Sequence, residues 1–103
     1  MASGSRRAIA GSFVATGAAG QQILTLLFTP KRIELLNVTT KGVMKWQESM
    51  PAGAGFKDAD TGSGTEDMSY ITTGGITQLE TGFQVDTDSF FNASDVIHYW
   101  AEE

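Results

Sequence analysis

Apolar and polar residues alternate along this chain in short runs, with the two-residue period of strands rather than the 3.6-residue period of helices. From Ala8 to Thr16, Ile9, Phe13 and Ala15 share one parity and would line one face of a first strand. Gly17 to Gly20 reads as a turn. The run QQILTLLFTPKRIELLNVTT follows, interrupted by Pro30, which has no N–H to give to a ladder. It is read as two strands, Gln22 to Thr29 and Lys31 to Thr39, with a bend between them. Leu26, Leu27 and Phe28 are apolar on both parities, as in a strand covered on both faces; a helix is the competing reading for this stretch.

Val43 to Met50 sets Met44, Trp46 and Met50 on one face against Lys45 and Gln47 on the other, a half-buried strand. Then comes PAGAGFKDADTGSGTEDMS, small, glycine-rich and acidic, expected to be a long loop and the least ordered internal part of the chain. Order is expected to return at Tyr70 to Thr73, a Gly74-Gly75 turn, Ile76 to Glu80 and Gly82 to Asp86. The stretch GFQVDTDSFFNASDVIHYWAEE closes the series with a strand from Val96 to Ala101, in which Val96, His98 and Trp100 oppose Ile97, Tyr99 and Ala101. Short strands joined by glycine-rich turns predict an all-β fold: a small, jelly-roll-like β-sandwich or barrel of about six to eight strands. Residues 1–10 are expected to form a flexible N-terminal arm and residues 11–103 a single β domain.

Composition supports this reading and narrows the chemistry. Twelve glycines and twelve threonines favour turns and strands. With no cysteine, the chain can build no disulfide, thiolate zinc site or cysteine nucleophile. MASGSRRAIAGSF lacks the apolar run of a signal peptide, and no segment has the length to cross a bilayer, so a soluble product made in a cytoplasm is expected. Charge is unevenly spread. Up to Lys45 six basic residues stand against one acid; from Trp46 onward one lysine stands against eleven acids, for a total of −5. The halves could pair inside one fold, or opposite patches on neighbouring copies could meet. The acidic total and the lack of a basic stripe argue against nucleic acid as partner.

Candidate chemistry is sparse. The single histidine, His98, lies within a strand pattern, and no G-x-S-x-G elbow accompanies it, so no enzyme is expected. DADTGSGTED places oxygen ligands at alternating positions, but counted from Asp58 the sixth residue is Ser63 and the twelfth Ser69, where a calcium loop needs glycine and glutamate. A looser site on Asp58, Asp60, Glu66 and Asp67 is the remaining possibility; no metal or other cofactor is assigned. The triplets Asn37-Val38-Thr39 and Asn92-Ala93-Ser94 read as chance, and the second as turn residues.

The segments FTPKRIEL, GGIT, TGFQV, NAS and HYWA occur in that order, and in order and content resemble short β-rich units of tailed-bacteriophage structural proteins: head-decoration proteins and tail or fibre modules. The resemblance runs from Phe13 onward, with no counterpart for Pro51 to Asp67. It implies a virion protein made in the host cytoplasm, most directly a decoration or cement protein that binds the outer shell in many copies, with the major capsid protein as partner and a homo-oligomer, by analogy a trimer. A tail, fibre or baseplate component and a carbohydrate-binding module are the alternatives. Within that reading Arg6 and Arg7 would pair with acidic shell subunits, and Trp46, Phe56, Phe90, Phe91 and Trp100 are the candidate contact aromatics, large rings being strong contributors at interface centres. For Trp46 and Trp100 a core position is the stronger expectation. Phe90 and Phe91, adjacent in an acidic stretch, are expected to point to opposite faces.

Overall fold

A computed structural model describes residues 7–58 and 68–103 of the chain. The fold is all-β. Its strands are β1 (Ala8–Val14), β2 (Gln21–Ile23), β3 (Arg32–Asn37), β4 (Gly42–Gln47), β5 (Ala54–Asp58), β6 (Met68–Leu79), β7 (Gly82–Val85) and β8 (Val96–Glu102), with one 3-10 turn at Ser89–Phe91. All pairings are antiparallel and form a single sheet in the order β1-β8-β3-β4-β5-β6-β7-β2. Strands β3 to β7 follow one another as a meander; β8 returns beside β3, and β1 and β2 attach at the two margins.

Because β1 and β2 are consecutive in the chain, the sheet must curl until its margins meet. The Gln21 side chain bridges them: its Nε2 donates to the Val14 carbonyl at 2.9 Å and its Oε1 accepts the Thr16 N–H at 3.0 Å. From inside, Phe13 of β1 meets Phe83 of β7 at 6.1 Å between ring centroids, and Phe83 meets Tyr99 of β8 at 5.4 Å, both edge to face. The result is a nearly closed barrel, the second of the two architectures expected.

Strict alternation fills it. Ile33 and Leu35, Met44 and Trp46, Phe83 and Val85, and Ile97, Tyr99 and Ala101 all point inward and are buried. Ile9 and Phe13 pack partly buried against them, and Ala15 is buried, as their shared parity predicts. Gly11 has the same parity, and its missing side chain makes room for the Tyr99 ring: a Cβ there would lie 2.5 Å from the Tyr99 hydroxyl, which is hydrogen-bonded to Thr25 Oγ1 at 3.1 Å. One end of the barrel is plugged by the 3-10 turn. Its Phe90 carbonyl accepts from the Asn37 amide at 2.8 Å; the same amide donates to Asp95 at 2.8 Å, and Asn37 Oδ1 takes the N–H groups of Thr39 and Thr40. Asn37 is therefore buried and committed, and its N-x-[ST] triplet is a structural device closing the β3–β4 turn.

Four local expectations are corrected. Gln22 to Thr29 is not one strand: pairing stops after Ile23. Beyond it Leu26 and Phe28 turn into the core while Leu24 and Leu27 face solvent, Leu27 at 80 % exposure, so the segment is not covered on both faces. It is held instead by side chains, Thr29 Oγ1 donating to the Glu80 carbonyl and Gln78 Nε2 to that of Pro30. The expected long loop contains β5, paired to β4 and β6. Gly74-Gly75 is not a turn: β6 continues through it, and pairing jumps from Gly55↔Ile71 to Ala54↔Ile76, an excursion that Gly74 permits at φ 79°. Ala8 to Ala10, assigned to the arm, pair with β8; residues 1–6 lie outside the described residues.

Candidate interaction surface

The alternation that fills the barrel places the opposite parity outside, and register aligns those residues into rows. One row reads Trp100, Glu34, Lys45, Phe56, Tyr70 across β8, β3, β4, β5 and β6. The next reads His98, Leu36, Val43, Asp58, Met68 across the same strands. Trp100 is 44 % exposed, and Phe56, Tyr70, Met68 and Leu36 are exposed with it. Val96, Val38 and Val14 extend the apolar surface beyond the second row. At the centre of the first row a Lys45 Nζ to Glu34 Oε1 contact of 3.6 Å joins two largely exposed side chains. Two shallow depressions run between the rows, one under Leu36, His98 and Trp100 and one under Lys45, Phe56 and Met68. The outer positions of β2 and β7 on the far side, Gln22 and Gln84, are polar.

The expected contact residues separate sharply. Phe56 is on this face. Trp46 is in the core at 4 % exposure, its Nε1 donating to the Pro51 carbonyl at 3.3 Å. Phe90 and Phe91 are also core, at 4 % and 2 %, stacked edge to face at 5.1 Å. They are removed from any partner surface because they occupy a 3-10 turn, where consecutive side chains diverge by about a third of a revolution and both can face the barrel. Asp88 caps that turn by accepting the Phe90 N–H at 3.0 Å, and also takes Lys57 Nζ at 2.7 Å in a mostly buried ion pair.

Arg7 is already engaged within the chain. Its Nη2 lies 2.6 Å from Glu103 Oε2, its Nη1 donates to the Leu27 carbonyl at 2.9 Å, and its guanidinium stands over the Phe28 ring at 5.5 Å. The hydrogen bonds from Arg7 hold the Glu103 carboxyl below the usual carboxylate range, and the same contact raises Arg7. Arg6 lies outside the described residues, as do Asp60, Glu66 and Asp67 of the looser calcium site. Among the described residues no three His, Asp or Glu side chains stand close enough to hold a metal ion.

Leu36, Met68 and Tyr70 are not among the sequence candidates, and Trp100, a candidate contact aromatic expected more strongly in the core, lies outside it at 44 % exposure. The signal is their phase: each is apolar at the parity opposite to its strand's buried residues, and becomes readable once β5 and the β6 excursion fix which parity is inward. No protein-family model, curated protein or solved structure matches the chain.

Proposed function

We propose that this chain is a non-enzymatic structural protein that works by adhering to other protein subunits through the outer face of β8, β3, β4, β5 and β6. The observation that carries the reading is the pair of aromatic and apolar rows that register aligns across the outer face of five neighbouring strands. An exposed contiguous patch of this kind marks an interaction site, and Trp100, Phe56 and Tyr70 are the ring types that anchor such contacts. The sequence resemblance supplies the setting: a decoration or cement protein on a bacteriophage capsid, bound to the major capsid protein, where many weak contacts sum over the lattice. A second reading has one observation in its favour, since exposed Trp100 lies beside the Glu34 carboxylate, as in a carbohydrate-binding module.

Immunogold labelling of particles from host lysate, with antibody against the purified chain, tests the setting. Gold spread over heads is the expected result; gold confined to tails moves the protein to a tail or fibre role, and label on no particle removes the virion reading. Binding of purified chain to stripped particles tests the face: Trp100→Ala and Phe56→Ala are each expected to weaken it about tenfold or more. Unchanged particle binding by both variants, or glycan binding that Trp100→Ala abolishes, overturns protein adhesion through this face.

A further inference from the structure

The two outer rows are complementary to themselves, and from this we infer that the face is occupied by a second copy of this chain, related by a two-fold axis. The inference rests on reading the face as a protein-binding surface and names the occupant it takes in free solution, away from any particle.

Register decides the pairing. Let the axis lie in the contact plane, parallel to the strands, above the boundary between β3 and β4. The operation keeps each row opposite itself and reverses strand order, so β3 of one copy lies over β4 of the other and β8 lies over β5. In the first row Glu34 then faces Lys45, and Trp100 faces Phe56. In the second, Leu36 faces Val43, and His98, a hydrogen-bond donor, faces the Asp58 carboxylate. Charge meets opposite charge, ring meets ring and aliphatic meets aliphatic, each contact occurring twice. An isologous interface requires this self-complementarity.

The other in-plane axis fails the same test. Running across the strands between the rows, it sets Glu34 over Leu36, Lys45 over Val43 and Trp100 over His98, taking two charges out of water against apolar groups, which is costly. Of the two axes the rows favour the first, a two-fold where analogy gave a trimer. The barrel is convex, and strands are spaced about 4.8 Å apart, so the contact is confined to the central strands. That places it at or below about 1,200 Å² in total, the size of weak interfaces, with a dissociation constant expected in the micromolar range.

The test uses Glu34→Lys and Lys45→Glu, full-length, in sedimentation equilibrium, with thermal melting to confirm that each variant is folded. Wild type is expected to dimerise. Each single variant sets two like-charge pairs face to face and is expected to dimerise at least about a hundredfold more weakly. Mixed one to one, the variants restore both opposite-charge contacts, and a heterodimer within about tenfold of wild-type affinity is expected. A wild type that stays monomeric at about 100 µM overturns the pairing. So does a mixture no tighter than either variant alone. Loss of particle binding on Trp100→Ala alongside a monomeric wild type would leave the face as a protein-binding surface with a different occupant, which separates failure of this inference from failure of the reading it rests on.

Discussion

Trp46 and Trp100 occupy strands of the same kind and have opposite environments, one inside the barrel with its indole N–H bonded to Pro51, the other on the outer face beside Glu34. Truncating Trp46 leaves a cavity with no means of collapse and is expected to cost about 3–5 kcal/mol. Truncating Trp100, 44 % exposed, removes only partly buried contacts and is expected to cost about 1 kcal/mol or less. Denaturant unfolding of Trp46→Ala and Trp100→Ala checks both: equal midpoint shifts would refute the assignment of inside and outside. Parity along β8 was legible, because Ile97, Tyr99 and Ala101 alternate with no interruption. Which parity faces inward was not, since both sets carry rings. Phe90 and Phe91 were illegible for another reason: the expectation assumed a strand geometry that the Asp88-capped 3-10 turn replaces.

Among elements, β1, β4, β7 and β8 could be read from the chain with small boundary errors because their apolar residues alternate cleanly. Strand β5 could not. AGFKD carries one large apolar residue, and that residue points outward; its inward positions are Ala54, Gly55 and Lys57, which leave no hydrophobic period. The sequence divides β6 at Gly74-Gly75 because glycine pairs mark turns and bulges alike, and only the partner strand decides between them. What anchors β5 to the far end of the barrel is the Lys57–Asp88 ion pair, 2.7 Å long, with its side chains 15 % and 14 % exposed. Removing one partner leaves the other charge poorly solvated, so Lys57→Met is expected to destabilise by about 1–3 kcal/mol. Adding Asp88→Asn should recover part of that loss. A double-mutant cycle in which the two costs simply add would show that the pair is not coupled.

For the whole molecule, the uneven charge along the chain is partly an arrangement for closing the fold. Arg7 and Arg32 from the basic half reach Glu103 and Glu102 from the acidic half, along the β1–β8–β3 pairing. The Arg7–Glu103 contact has a pH signature. The Glu103 carboxyl titrates below its unfolded value because Arg7 bonds its charged form, so the stabilisation is present above the ordinary carboxylate value of about 4.3 and is lost as pH falls through the lowered one. A carbon-detected NMR titration is expected to show Glu103 titrating below its reference, and Arg7→Ala is expected to return it there. A Glu103 midpoint unmoved by Arg7→Ala would remove Arg7 as the cause. Closure of the barrel in this order has a further consequence, for the time at which it can form. Among the described residues, strands β1 and β2 pair with β8 and β7, in registers such as Ala8↔Glu102 and Gln21↔Val85. On a ribosome β1 and β2 must therefore wait until β8 and β7 have been made. The β3 to β7 meander can form early from neighbouring segments, but the molecule is finished by contacts that span its length. Such long-range closure belongs to the slow class of folding, of milliseconds to seconds, and β8, made long after β1, is the strand that admits it.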